Sequence, residues 1–272
     1  MSPADPRALL ARYGLRPKKS WGQNFLWDPH IHQGIVKACA LSPEDWVVEI
    51  GAGLGTLTTR LAERCARVVA IERDRDLCAV LRQELGGDGR IELWEANALT
   101  LDYGALAERA GRRLVLAGNL PYQIATPLLL AMVAARGHLA RAVVMLQLEM
   151  ARRLVAPPGT REYGALTVAL ATYADLELCF RVRKGAFVPA PAVDSAVVRL
   201  LPLHAPRARI ADPAAYERLV RAAFAMRRKT LRNALRGVAA EADFARAGID
   251  PARRGETLSV EEFARLAEAA HA

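Results

Sequence analysis

The sequence predicts an α/β fold: a mostly parallel, seven-stranded sheet with an antiparallel edge hairpin, followed by a small all-helical domain. Three observations predict it. Between residues 46 and 146, short apolar runs alternate with segments of helical spacing, the pattern of right-handed βαβ units with a sheet covered on both faces. Two later strand-like runs, 175–182 and 195–201, have no clear helix between them, only a Pro/Gly-rich loop, so they form the hairpin. Beyond Pro206 the apolar residues recur at helical spacing alone.

Taken in order, residues 46–50 are a short apolar strand running into glycine, and 54–65 are helical. Residues 68–71 are a strand ended by Glu72, and 77–85 are helical. A third strand covers 91–94, a helix 104–109, a fourth strand 114–117, a helix 127–135 and a fifth strand 142–146. In the tail, 213–225, 227–239, 241–247 and 260–270 are helical, separated by Gly237, Gly248, Pro251 and Gly255. The domain boundary falls at 204/205: residues 1–204 form the sheet domain and 205–272 the helical one, too small for a generous core of its own.

The chain has 272 residues, 52% hydrophobic and 25% charged, an ordinary globular composition. Its first residues lack a secretory h-region, and no apolar run approaches a membrane span. Cys39, Cys65, Cys78 and Cys179 are scattered without CxxC spacing. They read as thiols in a reducing cytoplasm, with neither a metal site nor a disulfide framework. The net charge of +9 is concentrated at the ends: +3 over residues 1–30 and +4 over 204–272. A polyanion such as nucleic acid explains that placement; a solubilising surface is the plainer alternative. Arg228, Arg232 and Arg236 fall one helical turn apart with Lys229 beside them, and Lys18 and Lys19 cluster at the other end. Such a stripe suits RNA phosphates or is a solvated helix face.

The first strand runs into Gly51-Ala-Gly53-Leu-Gly55, a GxGxG loop where the first βα connection turns. Glycines let the backbone bend sharply and approach a ligand, and ligands bind at the carboxyl ends of such strands. Glu72 closes the next strand, placed to accept bonds from both hydroxyls of a ribose. Together they point to an adenosine-containing cofactor. Glu49 ahead of the loop, glycine spacing unlike that of a dinucleotide site, and a polar side chain at Asn97 after the third strand favour S-adenosyl-L-methionine. The fourth strand ends in Gly118-Asn119-Leu120-Pro121-Tyr122, which reads as a turn or as a grip for a flat, hydrogen-bonding ring. No Ser/His/Asp or Cys/His constellation is present, and the five histidines read as surface residues.

Five segments occur in this order: KKSWGQNFL from Lys18, EIGAGLGTLT, GNLPYQIATPLL, FVPAPAVDSAVVR from Phe187, and RRKTLRN from Arg227. In that order, and from about residue 12 to 270, the chain resembles the ribosomal RNA adenine N6-dimethyltransferases of the bacterial small-subunit type. The resemblance implies a Rossmann-like, S-adenosylmethionine-dependent methyltransferase fold. It implies dimethylation of two adjacent adenines in the 3′-terminal hairpin loop of small-subunit ribosomal RNA, on immature 30S subunits, by a cytoplasmic monomer. It also implies that Gln23, Asn24, Leu26, Gly51, Gly53, Glu72, Asn97 and Asn119 hold the cofactor. Asn119, Leu120, Pro121, Tyr122 and Phe187 hold the extruded base, and Lys18, Lys19, Arg228, Lys229, Arg232 and Arg236 hold RNA.

Phe187 before two prolines is, on spacing alone, a core anchor; the resemblance makes it a stacking face opposite Tyr122. Three departures stand out. Asn97 replaces the usual Asp at the adenine amino group and keeps a carbonyl acceptor. Trp21 replaces a usual Leu, and Ala192 a usual Lys.

Overall fold

The structure is a computed structural model that describes residues 5–271. The chain divides into two compact units, Met1–Ala151 with Glu177–Pro202, and Arg152–Leu176 with Leu203–Ala272.

The first unit begins with α1 (Pro6–Arg12), β1 (Phe25–Leu26) and α2 (Pro29–Cys39). Asp5 and Asp28 cap the two helices through their carboxylates, each followed by proline at the first helical position, where a missing N–H costs nothing. The alternating region follows: β2 (Trp46–Ile50), α3 (Thr56–Ala62), β3 (Arg67–Glu72), α4 (Arg75–Leu85), β4 (Ile91–Glu95), α5 (Tyr103–Ala110), β5 (Leu114–Asn119), α6 (Ala125–Ala134) and β6 (Leu139–Gln147). In chain order α7 (Leu148–Leu154), α8 (Ala165–Ala171) of the second unit, β7 (Ala174–Val182), β8 (Phe187–Val188) and β9 (Ser195–Pro202) follow.

Seven strands form one sheet in the order β4-β3-β2-β5-β6-β9-β7, and β1 pairs with β8 in a separate two-residue ribbon. β4, β3, β2, β5 and β6 are parallel, and β9 is antiparallel to β6. Val47, Val48, Val68, Val69 and Leu114 to Ala117 are fully buried, as a sheet covered on both faces requires. The chain leaves β2 toward one edge and returns at β5 toward the other. The carboxyl ends of β2 and β5 are therefore the topological switch point, where ligands bind in such sheets.

The sequence reading lacks α1, α2 and α8, and for α2 the reason is physical. In α2 the inward residues are His32, Ile35 and Cys39, so a polar residue interrupts the apolar stripe. Gly34 breaks it again, because a Cβ there would stand 2.8 Å from the Phe180 ring.

The second unit contains α8 and the helices α9 (Pro213–Ala225), α10 (Leu231–Ala234), α11 (Glu241–Ala247) and α12 (Val260–His271). Its core joins Tyr163 and Val168 to Leu219, Leu231, Phe244 and Phe263. The Tyr163 hydroxyl donates to the Leu258 carbonyl at 2.9 Å, and the Thr172 and Tyr216 hydroxyls bond at 2.9 Å. These contacts place 152–176 with the helical tail, so the division at 204/205 understates the second unit.

The continuous helix expected over 227–239 is not formed. Met226 leaves the helical conformation, and α10 spans one turn only. The Leu231 and Arg232 amides donate instead to the carbonyls of Arg253 and Pro251, at 2.7 and 3.0 Å. Arg228, Arg232 and Arg236 therefore do not share a helix face. Among the described residues no helix is long and apolar enough to cross a membrane.

Candidate active site

A cavity of about 340 Å³ opens at the carboxyl ends of β2, β3, β4 and β5. Its walls come from the segment 20–26, the glycine loop, Glu72 with Arg73, Ala96 to Ala98, and Asn119 to Ile124.

Gly51 and Gly53 have φ of +74° and +60°, a region that costs residues with a Cβ but not glycine. A Cβ on Gly51 would stand 3.6 Å from the Asn119 carbonyl oxygen, in the space between the two loops. Glu72 fixes the glycine loop from below. One carboxylate oxygen accepts from the Gly53 amide at 2.9 Å, the other from the amides of Arg73 and Asp74 at 2.8 and 2.9 Å. Burial raises the Glu72 pKa, and these three amides oppose the rise.

Residues 18–24 form a strap over the cavity. The Lys18 ammonium bonds Asp74 at 2.6 Å and Asp76 at 2.7 Å, and the Gln23 amide donates to Asp74 at 2.7 Å. Although burial works against it, the Lys18 and Gln23 bonds hold the Asp74 carboxyl below its usual range. Lys18 and Arg73 stand over the Trp21 ring, 5.5 and 5.4 Å from its centre, in cation–π contact. Gln123 donates to the Ser20 carbonyl at 3.3 Å.

At the end of β5, Gly118 lies against β2 so closely that a Cβ would be 2.3 Å from the Ile50 carbonyl oxygen. The Leu120 amide donates to Met145 at 3.1 Å, and Pro121 leads into a single 3-10 turn, Tyr122–Ile124. The Asn119 side-chain amide donates to the Asn24 carbonyl at 3.1 Å. That bond fixes which way the amide faces. Asn119 Oδ1 is buried and has no partner, a costly state unless a ligand supplies a donor. The Tyr122 and Ser195 hydroxyls bond at 2.9 Å, and burial raises the phenol pKa against that bond.

Gln23, Asn24, Leu26, Gly51, Gly53, Glu72, Asn97, Asn119, Leu120, Pro121 and Tyr122 all line this one cavity. Phe187 does not. It is 3% exposed, part of the apolar core, and strand-paired with Leu26, so it occupies the position of a core anchor. The Asn97 side-chain oxygen also caps the turn after β4, accepting from the Leu99 amide at 3.1 Å.

Of the basic residues, Lys18 is matched by two carboxylates, and that raises its pKa. Lys19 is exposed. In the second unit Arg232 pairs with Glu241 at 2.7 Å, and Arg236 reaches Asn233 at 3.5 Å. Arg228 and Lys229 are exposed.

Two ionisable groups in the cavity wall are buried, which the sequence does not announce. His32 is 1% exposed, and both its ring nitrogens lack partners. Burial, helped by Arg60 and opposed by Asp28, lowers its pKa to about 4. The expectation of a surface histidine fails here; the i, i+3, i+7 spacing of His32, Ile35 and Cys39 was the available signal. Glu49 is also buried, with Oε2 unpartnered. Burial pushes its pKa up to about 8; Thr58 opposes the rise, and the Glu72 charge adds to it.

The residues fit an adenosine-bearing cofactor: open glycine backbone, a strand-end carboxylate and an unpartnered acceptor meet in one cavity. Comparison with known proteins agrees. The family model for ribosomal RNA adenine dimethylase matches residues 14–271. A curated relative from Anaeromyxobacter sp. (strain K), named ribosomal RNA small subunit methyltransferase A, is 50% identical and covers 96% of both chains. One of the same name from Pelotomaculum thermopropionicum is 46% identical, covering 98% of this chain and 96% of its own. The crystal structure of the 23S rRNA methyltransferase ErmE superposes with a TM-score of 0.72 at 28% identity, over 92% of this chain and 100% of that one. A dimethyladenosine transferase from Plasmodium falciparum shares the fold, with a TM-score of 0.73, 24% identity, and 89% and 95% of the two chains covered. The chain thus belongs to the ribosomal RNA adenine dimethylases, enzymes that use S-adenosylmethionine and have a Rossmann-like methyltransferase fold.

Proposed function

We propose that this chain dimethylates N6 of two adjacent adenines in the 3′-terminal hairpin loop of small-subunit ribosomal RNA. The observation that carries the reading is the buried, partnerless Asn119 Oδ1 in the cavity wall. An exocyclic amine is a poor nucleophile while its lone pair is delocalised into the ring. Two acceptors on its N–H groups favour a pyramidal nitrogen and set the direction of the lone pair. Asn119 Oδ1 is one such acceptor, already turned by its bond to Asn24, and the Leu120 carbonyl is the second. Pro121 stiffens the turn behind them, and Tyr122 gives the extruded base a stacking face, worth about 1–3 kcal/mol.

The cofactor is held by Glu72 at its ribose hydroxyls, by the Gly51 and Gly53 backbone, by Asn97 at its base, and by Gln23, Asn24 and Leu26 of the strap. When bound it supplies an electrophilic methyl group. The chain's contribution is position: two loops that hold donor and acceptor in line. Lys19, Arg228, Lys229, Arg232 and Arg236 contact RNA phosphates; Lys18 serves the strap instead. The substrate is the immature small subunit, and the enzyme acts as a cytoplasmic monomer.

The names and identities of the curated relatives support the small-subunit target over the large-subunit one. The test is methyl incorporation into immature small subunits and into large subunits, with the modified positions mapped. Two dimethylated adenines in the small-subunit hairpin are expected; methylation of the large subunit alone would refute the reading.

A further inference from the structure

Of the Phe, Tyr and Trp residues that line the cavity, Phe25 is buried, Tyr122 is half-buried and Trp21 is exposed, at 41%. The bond from Gln123 to the Ser20 carbonyl fixes where the indole stands. It ties the residue before Trp21 to the residue after Tyr122, so the ring sits at the rim beside the turn that follows β5.

The charges around the ring are in two states. Lys18 and Arg73 both stand over it, 5.5 and 5.4 Å from its centre. Lys18 is taken up by Asp74 and Asp76. Arg73 and Lys19 are exposed and pair with no carboxylate among the described residues. An aromatic face edged by free cations is how single-stranded nucleic acid is held: rings take the faces of bases, and cations track the phosphates. Drawing one base into a pocket also strips a stacking partner from the base beside it in the strand. An indole just outside the pocket replaces the lost face.

We infer that Trp21 is a stacking platform for the nucleotide adjoining the one in the pocket, with Arg73 on its phosphate. The inference rests on the RNA substrate given under Proposed function and extends the grip from one base to two. One strap then serves both ligands, Gln23 and Asn24 toward the cofactor and Trp21 toward RNA.

Steady-state methylation of immature small subunits by the full-length protein, Trp21→Leu and Trp21→Phe tests this, with S-adenosylhomocysteine titrated into each. Trp21→Leu should raise KM for the subunits roughly tenfold, the size of one lost base stack, and leave S-adenosylhomocysteine affinity within about twofold. Trp21→Phe keeps an aromatic face and should recover most of the loss. A second substrate isolates the neighbour: small subunits assembled with uridine, a weaker stacker, in place of one of the two adenines. That change should raise KM several-fold for the unmodified protein and hardly at all for Trp21→Leu, which has no stack left to lose. An unchanged KM in Trp21→Leu overturns the inference alone. So does an equal cost of the uridine substrate in both proteins, or a fall in S-adenosylhomocysteine affinity that accounts for the whole effect and confines Trp21 to the strap. If the unmodified protein failed to methylate small subunits at all, the inference and the proposed function would fall together.

Discussion

The side-chain amide of Asn119 donates to the backbone carbonyl of Asn24, 3.1 Å away and 95 positions earlier in the chain. The bond joins the turn after β5 to the strap over the cavity. It also decides that Asn119 presents an oxygen, not an N–H, to the cavity.

Asn119→Ala removes that oxygen and should lower the methylation rate by about a hundredfold or more, the size of losing one preorganised hydrogen-bonding group at a reacting centre. S-adenosylhomocysteine affinity should change far less, since Glu72 and the glycine loop are untouched. Single-turnover methylation with a parallel binding titration measures both. Unchanged methylation would remove Asn119 from the mechanism.

Glu72→Gln replaces an oxygen that accepts backbone amides with an NH₂ that cannot. The variant should lose about 1–3 kcal/mol of stability and at least roughly tenfold in cofactor affinity. Thermal unfolding with and without S-adenosylhomocysteine reads both effects, because a bound ligand shifts the midpoint by mass action.

Lys18 and Lys229 should separate cleanly. Lys18→Ala releases Asp74 and Asp76, so it should speed proteolysis within 18–24 and weaken cofactor binding. Lys229→Glu should leave cofactor binding intact, weaken RNA binding, and reduce the slope of its salt dependence by about one. Limited proteolysis and RNA titration at several salt concentrations distinguish them. A Lys18→Ala variant that lost RNA affinity alone would contradict the strap assignment.

His32 gives stability a pH dependence. Its pKa is about 4 in the folded chain, against 6.5 for a free histidine, so the unfolded chain binds the proton first. Stability is complete above pH 6.5 and falls as pH drops toward 4, by on the order of 3 kcal/mol. Glu49, with its pKa raised to about 8 from 4.5, works the other way: its contribution is whole below pH 4.5 and fades as pH rises toward 8. Arg60 and Asp28 are the charged groups that act on His32. His32→Leu should flatten the acid side of the profile and leave the alkaline side in place, as thermal melts between pH 4 and 8 would record.

Much of the site was legible because its parts are contiguous. The glycine loop, Glu72 and the residues 118–122 each lie at a strand end that the apolar runs locate. Distant pairings were not legible. Lys18 reads as a free cation until the fold brings it to Asp74, 56 positions away. The break after Ala225 depends on amides of 231 and 232 finding carbonyls of 253 and 251, and helical periodicity in 227–239 carries no trace of that competition. Asn97 reads as an acceptor from its residue type; that the same oxygen also caps the Leu99 amide shows only in the fold. Phe187 shows the reverse case, where spacing alone pointed to the core and the fold puts it there.

Gly118 against Ile50 has a consequence for tolerance. The two cradles touch backbone to backbone, with no side chain between them. If the two loops hold donor and acceptor as proposed, the gap between them is set by peptide geometry, which is stiff, rather than by rotamers, which hop. Any residue larger than glycine at 118 would work as a shim, prising the two halves of the reaction apart while leaving every reacting group in the chain.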